Sequence, residues 1–210
     1  YREWTESLGS RREHIIQKTQ ARLHEALWRS FTSIGALPHH FRYDYLIALT
    51  NNVSAEYIRK AVDKIRRASP VEVEFCEGAG ETPMEAYKNC GRRSGLGSEA
   101  AVVGHMDVVD STGTTRVNGP LYVYRQVQDL LKQATDFCRD VGCMVFYLGG
   151  DNIMLFLPTP KAAYELYGYL NADLRIGIGI AKRPYNAFVK ATRGLDDLRR
   201  RGTAGVKLVK

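Results

Sequence analysis

A glycine-rich acidic turn between two apolar runs constrains the fold of this chain more than any other feature. In residues 142–158, the apolar runs 144–148 and 153–157 flank Gly149-Gly150-Asp151-Asn152. This pattern predicts a β-hairpin. Glycine lets the backbone turn sharply and approach a ligand closely. The acidic side chain at the hairpin tip is therefore a candidate ligand for a metal or a substrate, and the alternative is an ordinary Asn/Asp turn.

A second carboxylate lies near the end of another predicted strand. Residues 100–109 are apolar enough for a central strand but include Asp107, and they lead into Asp110-Ser111-Thr112-Gly113. Since a buried unpaired charge is costly, Asp107 needs a partner. The carboxylates of Asp107 and Asp151, on adjacent strands, would give Mg²⁺ the oxygen ligands that it prefers, so the pair predicts a magnesium site. The alternative is a buried aspartate that accepts hydrogen bonds from backbone amides.

Length and charge limit the classes of protein to which the chain can belong. Its 210 residues allow one large domain or two small ones, and its net charge of +7 predicts an anionic ligand such as a nucleotide. We expect no nucleic-acid partner, because basic residues are interleaved with acidic ones and no basic tail is present. We expect a cytoplasmic protein without membrane contact, because the chain opens on Tyr1 without a signal peptide and has no apolar run of about 20 residues.

The cysteines and histidines match no metal-site pattern. The four cysteines, Cys76, Cys90, Cys138 and Cys143, form no CxxC pair and have no zinc spacing. We therefore expect free intracellular thiols. The five histidines include the doublet His39-His40, which also matches no metal motif.

Helical and strand patterns alternate along both halves of the chain. Apolar residues at helical spacing predict a first helix over residues 9–31, with Ser10 as its N-cap and Glu13 completing a capping box. A second helix is expected over residues 54–68, with Ser54 as its N-cap and Tyr57 on its apolar face. The other expected helices begin at Thr82-Pro83 and span about 121–141, 160–170 and 184–201, and the other expected strands span 40–49, 71–76, 174–181 and 206–209.

An internal repeat indicates the fold class. Residues 43–49 align with residues 150–156, and residues 82–87 align with residues 183–188. Each half then has the order β-α-β-β-α-β with a further helix, which is the ferredoxin-like order. We predict an α+β fold of tandem ferredoxin-like (palm) domains with antiparallel sheets, over residues 1–92 and 99–210, joined by a linker in residues 90–98. The first domain lacks its first strand, so we expect either that the chain is truncated or that the strand belongs to residues outside the given chain.

The repeat and its acidic strand ends resemble the palm of nucleotidyl cyclases and polymerases, and within that group the archaeal GTP cyclohydrolase III family. The resemblance covers nearly the whole chain. It includes Arg11-Arg12-Glu13 with Gln17 and Gln20, residues 44–51, Glu81-Thr82-Pro83, His105-Met106-Asp107, Thr112-Gly113, residues 148–152 and Gly177-Ile178-Gly179-Ile180. The chain departs from the family in two places: the opening strand with its Asp-Asn pair is absent before Tyr1, and the segment 91–100 is short.

The resemblance implies a hydrolase that acts on GTP. The family opens the imidazole ring, keeps the C8 carbon as a formyl group and removes the β and γ phosphates. The product, a formylamino-pyrimidine ribonucleotide monophosphate, is used toward riboflavin and deazaflavin cofactors. The resemblance also implies a homo-oligomer and two Mg²⁺ ions, held by Asp107, Asp151 and the backbone carbonyl of Val108, with Asn152 as a further catalytic residue.

Candidate nucleotide contacts follow from the same resemblance and from residue chemistry. Helix amides at Gly113, together with the side chains of Arg199 and Lys182, are expected to contact phosphate, although charges on a helix face are often simply solvated. Gln17 and Gln20 lie three apart on one helix and could present amides to guanine, or they are surface glutamines. The remaining candidates are Arg11 and Arg12, which could equally be a charged first turn, and Asp44, which is expected to contact guanine or ribose rather than to repeat the metal site.

Three other functions fit parts of the pattern. A cyclase or diguanylate-type polymerase shares the palm, but such enzymes usually carry a second acid where this chain has Asn152. A degenerate palm that only senses nucleotide is opposed by the intact Asp107 and Asp151 pair. An RNA binder of the RRM type is opposed by the missing aromatic RNP1 pattern.

Overall fold

The computed structural model describes residues 1–92 and 99–210 of the chain. These residues divide into two compact units, Tyr1–Cys76 and Glu77–Lys210. The predicted domains differ from this division in residues 77–92, which are grouped with the second unit. In the part of the chain that is described, no helix is both long and apolar enough to cross a membrane.

The first unit packs two helices against a β-hairpin. Its elements are α1 (Arg2–Ser7), α2 (Glu13–Thr32), β1 (Leu37–Arg42), β2 (Tyr45–Leu49) and α3 (Ala55–Ala68). The strands β1 and β2 pair antiparallel, with Leu37 opposite Leu49. Apolar side chains of α2 and α3 form the core, among them Leu27, Phe31, Ile58, Val62 and Ile65. The predicted apolar face of α3 is confirmed apart from Tyr57, which is exposed.

The predicted strand over residues 71–76 is wrong, because this segment has no regular structure. Among the described residues of this unit, only β1 and β2 form a sheet. An alternating pattern does not make a strand without a neighbouring edge to pair with. Instead, Arg66 Nε donates a hydrogen bond to the Val73 carbonyl at 3.2 Å. The rest of the predicted linker, residues 93–98, lies outside the described residues.

The predicted cap of the first long helix is also wrong. Helix α2 follows Arg12, which makes no side-chain cap bond, and the amides of Ile15 and Ile16 donate to the Arg12 carbonyl. Gly9 has a φ of +75° and turns the chain before the helix, so Ser10 lies too early to cap it. The predicted cap of α3 is confirmed, because Ser54 accepts a hydrogen bond from the Tyr57 amide.

The second unit is built on a five-stranded sheet. Its elements are α4 (Pro83–Lys88), β3 (Ala101–Val108), α5 (Ser111–Asn118), α6 (Pro120–Val141), β4 (Met144–Gly149), β5 (Asn152–Leu157), α7 (Pro160–Leu170), β6 (Leu174–Ala181), α8 (Pro184–Arg201) and β7 (Gly205–Val209). The strand order is β4-β5-β3-β6-β7. The sheet is mixed rather than wholly antiparallel as predicted, because α8 carries the chain back so that β7 runs parallel to β6.

Side chains alternate between the two faces of this sheet. One face packs against α6 and α7, where Met106, Ile153 and Ile176 join a single apolar core with Val127 and Leu166. The opposite face is covered by α8. Residues of odd number on β3 and β6 point to the α8 side. The sheet therefore directs His105, Asp107 and Arg175 toward that helix.

Two glycines of β6 allow α8 to lie directly on the sheet. A Cβ atom at Gly177 would come within 1.9 Å of the Ala191 carbonyl oxygen, and one at Gly179 would come equally close to the Ala187 carbonyl oxygen. Both obstacles are backbone atoms, so the helix would have to move to admit any larger residue. The Gly-Ile-Gly pattern of β6 therefore fixes the position of α8.

The prediction of free cysteines is wrong. Cys138, in the last turn of α6, forms a disulfide with Cys143, and Cys76 and Cys90 are disulfide-bonded as well. Among the described residues there is no free cysteine. Gly142 has a φ of +83° and reverses the chain, which brings the Cα atoms of Cys138 and Cys143 to 4.5 Å. The spacing of Cys138 and Cys143 matches no redox or zinc motif. The one sequence signal for their pairing was the end of α6 at Gly142, which lies between them.

Candidate functional site

Asp107 lies near the end of the central strand β3, between two neighbouring strands. It is opposite Arg175 of β6, and the preceding residue, Met106, is opposite Ile153 of β5. Asn152, at the start of β5, is therefore the next residue along on the other side. The Asp107 side chain faces α8 and is only 3% exposed. The sheet thus buries this carboxylate among polar side chains of both neighbours.

Two arginines pair with the Asp107 carboxylate. Arg199 of α8 donates from Nε to Oδ2 at 2.7 Å, and Arg175 donates from Nη1 to Oδ2 at 3.3 Å. Burial nevertheless raises the pKa of Asp107, and the charge of Asp151 adds to this rise, while both arginines oppose it. The two guanidinium groups therefore offset the effect of burial on this carboxyl only in part.

Asn152 connects the two carboxylates of the site. Its Oδ1 atom accepts hydrogen bonds from Arg199 Nη2 and from His105 Nε2, each at 3.1 Å. Its Nδ2 atom donates to Asp151 Oδ1 at 3.2 Å. A chain of contacts therefore runs from Asp107 through Arg199 and Asn152 to Asp151.

The turn that carries Asp151 depends on glycine. Gly149 and Gly150 have φ values of +111° and +62°, where other L-residues are strained. The Tyr147 hydroxyl donates to the Gly150 carbonyl at 3.0 Å and so closes the turn. The β4–β5 hairpin predicted from the Gly-Gly-Asp-Asn sequence is confirmed, and it presents the half-buried Asp151 at the end of the sheet where Asp107 lies.

The oxygen atoms of this site fit a hard divalent cation. The carboxylates of Asp107 and Asp151 and the nearby backbone carbonyl of Val108 are the ligand types that Mg²⁺ takes. No group of three or more His, Cys, Asp or Glu side chains able to hold a metal occurs among the described residues. Because the protein offers only two carboxylates, water and substrate phosphates would complete the coordination of such an ion.

Among the predicted phosphate contacts, only Arg199 lies beside Asp107. Gly113 lies inside α5, and its amide donates to Asp110 Oδ1 at 3.3 Å, so the helix start that was expected to meet phosphate is already capped by a carboxylate. Lys182 does not lie beside Asp107, and its contact with phosphate stays a prediction. Since Arg175 is opposite Asp107 and strand residues rise by about 3.3 Å, Lys182 lies about 23 Å away at the other end of β6.

Five predicted nucleotide contacts belong to the first unit: Arg11, Arg12, Gln17, Gln20 and Asp44. Gln17 is exposed, and Gln20 donates from Nε2 to the Tyr1 hydroxyl at 3.0 Å. Asp44 lies in the β1–β2 turn, as its alignment with Asp151 predicts, and it pairs with Arg42 at 2.8 Å. Their contacts with a nucleotide stay a prediction.

Three site residues received no individual role from the sequence: Arg175, His105 and Thr192. Arg175 is the one charged residue in the strand Leu-Arg-Ile-Gly-Ile-Gly-Ile-Ala, and its exposed fraction is 12%. Its Nε atom is buried with no hydrogen-bond partner among the described residues. The single arginine of this otherwise apolar strand could have indicated, from the sequence, that Asp107 has a buried partner.

His105 lies two residues before Asp107 on the same face of β3. Its Nδ1 atom lies 3.0 Å from Thr192 Oγ1 of α8, and its ring packs against Phe188 with the centroids 5.1 Å apart. Burial lowers the pKa of His105. His105 therefore connects β3 to β5 through Asn152 and to α8 through Thr192 and Phe188.

Comparison with known proteins gives a consistent result over the whole chain. The family profile described as GTP cyclohydrolase III matches residues 1–210. The GTP cyclohydrolase III of Pyrobaculum arsenaticum is 60% identical over 210 residues, covering 100% of this chain and 95% of the relative. That of Aeropyrum pernix is 31% identical over 223 residues, covering 100% and 92%.

A solved structure resembles part of the chain. The GGDEF domain of YfiN from Pseudomonas aeruginosa is 16% identical, with a TM-score of 0.47. The match covers 53% of this chain and 83% of the GGDEF domain chain.

Proposed function

Since the chain belongs to the GTP cyclohydrolase III family, we propose that it hydrolyses GTP in a Mg²⁺-dependent reaction. The imidazole ring opens, and the C8 carbon stays on the product as a formyl group. The β and γ phosphates are released. The product is then 2-amino-5-formylamino-6-ribosylamino-4(3H)-pyrimidinone 5'-monophosphate, a precursor suited to riboflavin synthesis.

The observation that carries the proposal is the placement of Asp107 and Asp151 at one end of the sheet, linked through Asn152. The negative charges of a triphosphate and of the two carboxylates repel one another. Two bound Mg²⁺ ions would offset that repulsion and supply an activated water. Asp107, Asp151 and the Val108 carbonyl are the residues that would hold it.

The side chains around the carboxylates have separate tasks in this proposal. Arg199 is 38% exposed and lies at the mouth of the site, so it can contact both Asp107 and an incoming phosphate. Arg175 is buried, so its charge stays with Asp107. Asn152 keeps the Asp151 carboxylate in place through its amide nitrogen. These residues orient the triphosphate and leave the base to extend toward other groups.

The proposal also covers the contacts with the guanine base and the oligomeric state of the protein. Gln17, Gln20 and Asp44 remain the candidates for contacts with guanine or ribose, and Arg11 and Arg12 for further contacts with the nucleotide. A homo-oligomer and a cytoplasmic location are also part of the proposal.

Asn152 favours a hydrolase over a nucleotide-joining enzyme on the same palm. Its amide donates to Asp151 while accepting from Arg199. A second acid at this position could accept from Arg199, but its charge would repel Asp151. With Asn152 neutral, Asp107 and Asp151 are the two carboxylates proposed to hold the metal, together with the Val108 carbonyl.

Incubation of the protein with GTP and Mg²⁺, followed by mass spectrometry of the products, tests the proposal. We expect one formylamino-pyrimidine monophosphate for each GTP consumed, with phosphate released. A cyclic or dinucleotide product would instead indicate a cyclase. Unchanged GTP, under conditions in which it binds, would indicate a sensing module.

A further inference from the structure

We propose that His105 is a positioning residue that fixes the Asn152 amide, and through it the Asp151 carboxylate, in the orientation that binds the metal–nucleotide complex. This inference rests on the proposed function, because it concerns the same site. His105 itself touches neither carboxylate. It acts through a single hydrogen bond from Nε2 to Asn152 Oδ1, at 3.1 Å.

The direction of every hydrogen bond at Asn152 follows from its partners. Arg199 Nη2 is only a donor, so the Asn152 atom that it contacts must be the carbonyl oxygen. The other amide atom is then the nitrogen, which suits the acceptor Asp151 Oδ1 at 3.2 Å. Flipping the amide would set a donor against Arg199 and an oxygen against the carboxylate. The orientation of Asn152 is therefore determined chemically.

His105 must donate to Asn152, because the carbonyl oxygen can only accept. The proton on His105 Nε2 is present in both the neutral Nε2–H form and the charged form of the ring. On the other side, Nδ1 meets the Thr192 hydroxyl at 3.0 Å, and a hydroxyl can donate or accept as needed. The contact with Asn152 therefore does not depend on the charge of the imidazole.

His105 is a more rigid support for Asn152 than Arg199 is. His105 is 8% exposed and packs against Phe188, whereas the Arg199 side chain is 38% exposed. If Arg199 turns toward a bound phosphate, it releases Asn152 Oδ1. His105 would then be the remaining described donor to that oxygen. It keeps Asp151 oriented during the part of the cycle in which Arg199 is engaged elsewhere.

Two substitutions separate the two nitrogen atoms of His105. In His105→Gln, the amide nitrogen takes roughly the place of Nε2 and can still donate to Asn152. In His105→Asn, the amide nitrogen takes roughly the place of Nδ1, so the side chain can meet Thr192 but does not reach Asn152. Both replacements are polar and smaller than histidine. Thr192→Val is the matched control that removes only the contact on the Nδ1 side.

The measurement is the affinity of each variant for Mn²⁺ in the presence of a non-hydrolysable GTP analogue, from the electron paramagnetic resonance signal of free Mn²⁺. We expect His105→Asn to weaken Mn²⁺ binding by about 10- to 100-fold, as loss of a residue that orients a metal ligand typically does. His105→Gln should recover most of that loss, and Thr192→Val should stay within about fivefold of wild type. Affinity for the analogue without metal should be the same in all four proteins.

The proposal is overturned if His105→Asn binds Mn²⁺ as wild type does, or if His105→Gln is as weak as His105→Asn. A loss in Thr192→Val equal to that in His105→Asn would also overturn it, because the ring would then matter only as packing. If His105→Asn does not fold, His105→Phe replaces it, because the phenyl ring can keep the packing on Phe188 but has no donor for Asn152. It must then lose Mn²⁺ affinity while His105→Gln and Thr192→Val keep most of theirs, and an unchanged affinity in His105→Phe overturns the proposal. Wild-type protein that binds Mn²⁺ without hydrolysing GTP would refute the proposed function and leave this test intact.

Discussion

Arg199 Nε lies 2.7 Å from Asp107 Oδ2, so the carboxylate that is the best candidate metal ligand is paired with a guanidinium group from the last helix. The second arginine, Arg175, is farther away, with its Nη1 atom 3.3 Å from the same oxygen. A divalent ion at Asp107 must therefore share the carboxylate with Arg199 or displace it. This competition links metal binding to the position of a side chain that can also contact phosphate.

Replacing Arg199 should destabilise the metal-free protein. In Arg199→Met, Asp107 keeps only its longer contact with Arg175, and the buried carboxylate loses its shortest hydrogen bond. We expect the free energy of unfolding to fall by about 1–2 kcal/mol, measured by urea denaturation without metal.

Arg200→Met is the control for this measurement. Arg200 is 75% exposed and contacts Asp197 at 3.5 Å on the same helix. We expect a change of at most about 0.5 kcal/mol. Equal effects of the two substitutions would mean that the Arg199–Asp107 pair contributes nothing beyond a surface contact.

Asp151→Asn should keep the fold and lose Mg²⁺-dependent turnover of GTP. The new amide oxygen can still accept from Asn152 Nδ2, but a neutral amide is a poor ligand for a hard cation. We expect a fall in kcat of about 100-fold or more, with an unchanged circular dichroism spectrum. Asp173→Asn removes an exposed carboxylate just before β6 and serves as the control. Phosphate release at the wild-type rate in Asp151→Asn would contradict the metal role of Asp151.

Gly177→Ala should disturb both stability and the site. The added Cβ would lie 1.9 Å from the Ala191 carbonyl oxygen and 2.5 Å from the Leu195 amide nitrogen, so α8 must move away from β6. We expect a loss of about 3 kcal/mol or more in the free energy of unfolding. Gly168→Ala in α7 meets no atom within 4 Å and should instead add up to about 1 kcal/mol. Similar unfolding midpoints for these two variants would show that α8 does not depend on the glycine.

His40 should make the first unit less stable in acid. Burial, and to a smaller extent the charges of His39 and His24, together lower the pKa of His40 to about 4. The unfolded chain therefore binds more protons than the folded one between pH 6.5 and about 4. Stability is full above this range and is lost as the pH falls through it. His40 Nδ1 lies 2.8 Å from His24 Nδ1, and two protonated rings would place two donors face to face.

The test compares wild type with His40→Phe by thermal denaturation between about pH 7 and about pH 4.5. Phenylalanine cannot take up a proton and keeps the stack on Tyr43, whose ring centroid is 4.2 Å from that of His40. We expect the variant to lose less stability than wild type as the pH falls. His14→Phe, at an exposed position of α2, is the control. A pH dependence in His40→Phe as steep as in wild type would contradict the assignment.

The sequence predicted the second unit well, because its local signals agree with its packing. Proline at the first helical position and apolar periodicity placed α7 and α8 at the bounds that the structure has, and alternation did the same for β6. The Gly-Gly-Asp-Asn turn predicted the β4–β5 hairpin. In the first unit, the strand expected over residues 71–76 failed, because alternation alone does not supply a neighbouring strand.

The closest partner of Asp107, Arg199, could not be predicted from the sequence. A buried carboxylate needs a cation, and the sequence pattern suggested a metal, but the partner in this structure is Arg199, which is 92 residues away in the chain. That contact exists because Gly177 and Gly179 let α8 lie close to β6. The Cys138–Cys143 disulfide was missed for a similar reason, since it depends on the backbone conformation of Gly142.

The most direct test of the proposed reaction follows the C8 carbon of the base. GTP labelled with ¹³C at C8 is incubated with the protein and Mg²⁺, and the label is followed by ¹³C nuclear magnetic resonance, with Asp151→Asn as the inactive control. We predict that the imidazole C8 signal of GTP is replaced by the signal of a formamide carbon that stays attached to the nucleotide. Labelled formate, or a C8 signal that persists in a cyclic or dinucleotide product, would contradict the proposed reaction.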